Sequence, residues 1–132
     1  MRAVSKALLA LYLLWNVRAV AQQPTPYLPD PALTPGDVFD VTIEDVCTPG
    51  YAKKVRAVTK ALRDQAFNSY GITSHRRSEY QLDHLIPLSL GGSNSIKNLW
   101  PLSNNTLPWN AQAKDRLEVR LHKLVCSGQV DL

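Results

Sequence analysis

Tyr80-Gln81-Leu82-Asp83-His84-Leu85-Ile86-Pro87-Leu88, then Gly91-Gly92-Ser93-Asn94, then Asn98-Leu99-Trp100-Pro101, is the run that decides the fold. Tyr80 to Leu88 is rich in β-formers and reads as a strand. The Gly91-Gly92 pair marks a turn or longer loop, and Asn98 to Leu102 reads as a returning strand ended by Pro101. Successive side chains of a regular strand leave opposite faces. Asp83 and His84 can therefore share one site only if the strand ends or bulges there, and we expect that it does.

Working outward, a helix is expected from about Gly50 to Ser69, capped by Thr48, entered through Pro49 and stopped by Gly71. Val55, Val58, Leu62 and Ala66 give it a buried stripe. Lys53, Lys54, Arg56, Lys60 and Arg63 lie outside that stripe, as a solvated face or as phosphate contacts. His75, Arg76 and Arg77 belong to a polar loop. A final helix is expected from Trp109 or Asn110 to Val125, burying Leu117, Leu121, Leu124 and Val125, with Gly128 after its end. His122 follows Glu118 by four residues and reads as its surface partner. Trp100 and Trp109 read as packing residues ahead of base-stacking platforms.

The chain has 132 residues, 45% of them hydrophobic, enough for one modest domain. Residues 1–21 read as an export signal, with basic Arg2 and Lys6, an apolar run from Ala7 to Trp15, and Ala19-Val20-Ala21 for cleavage, an uncleaved N-terminal anchor being the alternative. The run is too short to span a bilayer. That segment holds three of the 15 basic residues and no acid, so its removal leaves 12 against 11, a net +1. Bulk charge therefore excludes any general argument for nucleic-acid binding. Distribution says more, because five acids precede residue 46 and the remainder carries 12 basic residues against 6 acidic, a local +6.

Residues 22–46 contain Pro24, Pro26, Pro29, Pro31 and Pro35 and read as an extended leader, with a short strand at Asp37 to Ile43. The domain proper is expected over 47–132. Cys47 and Cys126, in an exported chain, are expected to pair, with free thiols or an intermolecular bond as the alternatives. A bridge across about 80 residues would add roughly 4 to 5 kcal/mol by the chain-entropy model.

Phosphodiester cleavage needs a nucleophile made from water, neutralisation of phosphate charge and stabilisation of the departing oxygen. A hard divalent cation serves the last two, and Asp83 suits it as a ligand. A neutral imidazole nearby, His84, can take the proton from water. The Asp-His pair, the glycine loop and Asn-Leu fourteen residues after the His resemble the HNH endonucleases. Tyr70-Gly71-Ile72, Lys114-Asp115, Leu117-Glu118 and Val125-Cys126 extend the likeness, over about residues 47 to 128, to small exported bacterial HNH-like proteins.

The resemblance implies an α+β fold with a ββα-metal motif: a two-stranded ribbon packed on a helix around one metal ion, here preceded by an additional N-terminal helix. It implies Asp83 as metal ligand, His84 as general base, and Asn98 holding the loop and the His orientation through backbone hydrogen bonds. The family's last ligand falls on Leu107, which cannot coordinate, so Asn105 or Asn110 is expected to substitute, with Asn110 preferred. Lys114 and Arg77 are the candidate substrate contacts. The implied cofactor is Mg²⁺ or Mn²⁺, with Zn²⁺ or Ni²⁺ as alternatives. The implied partner is nucleic acid, DNA ahead of RNA, in the periplasm or outside the cell, with no stable membrane insertion after signal cleavage. The sequence leaves oligomeric state open. Paired CxxC zinc knuckles, common among HNH proteins, are absent from the sequence. An inactive scaffold that binds nucleic acid or a protein partner, or a disulfide-stabilised envelope protein, would share these residues.

Overall fold

The computed structural model describes residues 28–132, and the expected export signal lies outside them. The described chain is mixed α+β, with four helices and a two-stranded antiparallel ribbon among the described residues. None of these helices is long and apolar enough to cross a membrane.

The proline-rich leader is part of the fold. Gly36 N donates to Lys97 O at 2.9 Å, Phe39 N to Gly91 O at 2.8 Å and Ser93 N to Asp37 O at 2.9 Å. Buried Thr34 donates to Leu99 O at 3.1 Å and meets the Tyr70 hydroxyl at 2.7 Å. Of the strand expected at Asp37 to Ile43, the structure has a single bridge, Val38 with Gly92. Thr42 and Asp45 then form a reciprocal capping box that starts α1, Ile43–Cys47. The expected boundary between leader and domain at 46/47 falls inside this helix.

The single helix expected over 50–69 is two. Helix α2, Tyr51–Val55, gives way to extended backbone at Arg56, and α3, Lys60–Ser69, restarts where the Thr59 side chain accepts from Leu62 N at 3.2 Å. The amide of Asn94 supports the break. It donates to Val55 O at 2.8 Å and accepts from Ala57 N at 3.2 Å, satisfying two backbone groups that a continuous helix would have paired internally.

Strand β1, Tyr80–His84, pairs with β2, Leu99–Ser103, in unbroken register from Tyr80↔Ser103 to His84↔Leu99. Strand β1 therefore stops four residues earlier than expected, and β2 continues through Pro101, which faces Leu82. In a two-stranded ribbon each strand has an unpaired edge, so a proline costs little ladder bonding.

Helix α4, Ala111–Cys126, packs across the ribbon. Trp100, Leu102 and Ala111 form the central core cluster, with Tyr70 and Leu85 against it. The inward face of α4 runs through Ala111, Lys114, Glu118, Leu121, His122 and Val125. Leu117, expected to be buried, is 54% exposed. Leu121 and Leu124 are partly buried and Val125 is buried, as expected, so the leucines located the face in its C-terminal half; in the N-terminal half that face carries Lys114 and Glu118 in place of Leu117. The Cys47–Cys126 disulfide joins the end of α1 to the end of α4 across a sequence separation of 79.

Candidate functional site

Asn98 organises the loop between the strands. It is fully buried; its Nδ2 donates to Ile86 O at 3.0 Å and Ser93 O at 2.9 Å, and its Oδ1 accepts from Ile86 N at 2.9 Å. Leu85 N donates to Asn98 O at 2.8 Å, carrying the ribbon pairing one residue beyond β1. One side chain thus ties both ends of the loop to the start of β2. Gly92 is required for this packing, since a Cβ there would lie 1.8 Å from Ile86 O and 2.9 Å from Asn98 Nδ2.

Strand β1 ends at His84, one of the two outcomes expected there, but its register is regular to that point with no bulge, and the Asp83 and His84 side chains leave opposite faces. Asp83 turns to α4. Its Oδ2 lies 2.8 Å from Lys114 Nζ, which also donates to His84 O at 2.7 Å and contacts Glu118 Oε1. The Asp83 contact is a charge contact without hydrogen-bond alignment, so Asp83 Oδ2 is buried and accepts no hydrogen bond among the described residues. Burial pushes the Glu118 carboxyl above the usual glutamate range, and the hydrogen bond and charge of Lys114 pull the other way. Three oxygens from Asp83, His84 and Glu118 therefore converge on one ammonium in a mostly buried setting.

His84 turns the other way, into a cavity of about 460 Å³ shared with Leu82, Thr59, Arg56 and Arg63. Its Nε2 lies 3.2 Å from Asn94 Oδ1. Because that amide is fixed by Val55 O and Ala57 N, its oxygen must be the acceptor, which assigns the imidazole proton to Nε2. Among the described residues Nδ1 has no partner and is the ring's free acceptor. Burial holds the His84 pKa below its usual 6.5; Asn94 opposes that shift, Arg56 reinforces it, Asp83 opposes it and Lys114 reinforces it.

Other candidate residues lie elsewhere. The Asn110 side-chain oxygen accepts from Ala113 N at 3.0 Å and caps α4. Asn105 is exposed and reaches Ser78 O at 3.4 Å, at the Tyr80–Ser103 end of the ribbon, opposite Asp83. Neither joins the oxygen cluster. Arg77 is exposed on the 72–79 loop, and Lys114 is engaged internally rather than free for substrate. His75 stacks on Phe67 with ring centroids 4.0 Å apart. His122 is not the partner of Glu118: its Nε2 lies 2.9 Å from Val46 O and 3.5 Å from Cys126 Sγ.

Two contributors escaped sequence reasoning. Asn94 looked like a turn residue, and Glu118 like one end of a helical surface pair. The Lys114-Glu118 spacing of four, the ordinary helical ion-pair spacing, was the available signal for the second. No family model matches the chain, and neither a curated protein nor a solved structure matches it.

Proposed function

We propose that the domain is an exported HNH-type endonuclease, built as a ββα-metal unit of β1, β2 and α4, that hydrolyses nucleic-acid phosphodiester bonds. The observation that carries this reading is His84: buried, oriented by Asn94, with a free Nδ1 at a cavity walled by Arg56 and Arg63. A neutral, fixed imidazole beside two guanidinium groups suits deprotonation of water next to a phosphate.

The oxygen cluster fits the implied metal. Asp83 Oδ2 is buried without a hydrogen bond, and Glu118 and His84 O supply further hard donors, which suit Mg²⁺ or Mn²⁺ better than a soft-metal site would. Glu118 thereby takes the place that Asn105 or Asn110 was expected to fill. A divalent ion held there would act as Lewis acid on the phosphate and stabilise the leaving oxygen. Arg56 and Arg63 would bind the phosphate oxygens, DNA ahead of RNA. His84 Nδ1 would take the proton from water. Asn94 keeps the ring from turning, and Asn98 keeps the loop that carries Asn94 in place. Export through residues 1–21 agrees with the disulfide.

A second reading is favoured by one observation: Asp83 and His84 leave opposite faces of the ribbon. On that reading the basic rim binds nucleic acid and cuts nothing. Supercoiled plasmid incubated with the oxidised protein and Mg²⁺ or Mn²⁺ separates the two. Nicking that is lost with EDTA and in His84→Ala is expected. Plasmid binding without nicking under any divalent ion would select the second reading, and nicking that survives His84→Ala would remove His84 from the chemistry.

A further inference from the structure

Lys114 Nζ sits where oxygens of Asp83, His84 and Glu118 converge. Its ammonium is 2.8 Å from Asp83 Oδ2 and 2.7 Å from His84 O, and it contacts Glu118 Oε1. The lysine side chain is 18% exposed, against 11% for Asp83 and 22% for Glu118, so the group is largely shielded from water. We propose that Lys114 is the resident cation of this site, and that its ammonium and a divalent ion occupy the Asp83, Glu118 and His84 oxygens alternately. The inference rests on the reading that Asp83 and Glu118 hold the metal, and it adds what governs loading.

Charge makes the two occupants exclusive. Two carboxylates and one ammonium leave a net −1, which keeps the ion-free protein from burying two unopposed carboxylates. A divalent ion on the same oxygens brings the balance to zero. Both together would leave +1 with two cations sharing one set of donors, an arrangement disfavoured in a site shielded from water. Geometry permits the exchange. Asp83 Oδ2 accepts no aligned hydrogen bond, so its lone pairs are open to coordination. The lysine stem is flexible and carries its charge as a compact ammonium, so it can swing to solvent while its methylenes stay against the helix.

A competitor inside the site lowers the apparent affinity for metal by the fraction of molecules in which it has left. Calorimetric titration of the oxidised protein with Mn²⁺ tests this in wild type, Lys114→Met and Lys114→Gln. Both variants are expected to bind Mn²⁺ about tenfold more tightly or better, as removal of an occupant present about nine-tenths of the time requires. Adding Glu118→Gln to either variant is expected to abolish the gain. Equal affinity in wild type and a folded Lys114 variant would overturn the proposal, as would a gain that Glu118→Gln leaves intact.

Should a variant fail to fold without metal, recovery on refolding with Mn²⁺, but not with sodium chloride of matched ionic strength, supports the proposal. No recovery counts against it. The underlying reading fails differently. Variants that gain Mn²⁺ affinity while wild type nicks no plasmid would sink the nuclease and leave the competition standing. Nicking by wild type with unchanged affinity in the variants would do the reverse.

Discussion

Asn98 fills three backbone bonding positions with one buried amide. Replacing it with Ala strands two carbonyls and an N–H in the interior, each costing about 1 to 3 kcal/mol. Asn98→Ala is therefore expected to lower unfolding free energy by roughly 3 kcal/mol or more, read from urea midpoints at unchanged m. His84 gives a pH prediction. Its folded pKa lies below 6.5, so as pH falls the unfolded chain takes up the proton first and stability declines. Well above 6.5 the ring is neutral in both states and contributes no pH dependence. Plasmid nicking should accordingly keep its rate below pH 6.5 and fall only as the depressed pKa is crossed; an acid limb centred at or above 6.5 would contradict the buried, neutral base.

At the scale of elements, Asn110 separates a capping role from a ligand role. Its side chain caps α4, so Asn110→Ala should cost about 1 kcal/mol of stability, whereas Asn110→Ser should cost only tenths and leave Mn²⁺ binding unchanged. Weaker Mn²⁺ binding in a stable Asn110→Ser protein would restore it as a ligand. The ribbon and the span of α4 were legible because β-rich runs, a glycine pair and helical periodicity are local signals, whereas Asn98 was singled out only by the resemblance. The break between α2 and α3 was not legible, since Asn94, some forty residues away, supplies the groups that make it tolerable. The polar part of the inward face of α4 was hidden for a related reason: Lys114, Glu118 and His122 look like surface residues until Asp83 and Val46 O appear opposite them.

Over the whole molecule, the pairing of Cys47 with Cys126 was readable from two cysteines once residues 1–21 are read as an export signal, and the structure has it. The docking of residues 34 to 39 was not readable, because proline spacing reports extended backbone and says nothing of what that backbone binds. Reducing the bridge should lower stability by about 4 to 5 kcal/mol, measured as the difference in urea unfolding with and without a phosphine reductant. A loss under about 1 kcal/mol would mean that the unfolded chain is already compact enough for the cross-link to matter little. The bridge also encloses most of the described residues between its two sulfurs. A protease that cuts one exposed peptide bond between them, for instance in the 72–79 loop, leaves both pieces on one covalent molecule. Such clipped protein would run as a single band on a non-reducing gel and as two after reduction, and the halves would stay together long enough to remain folded.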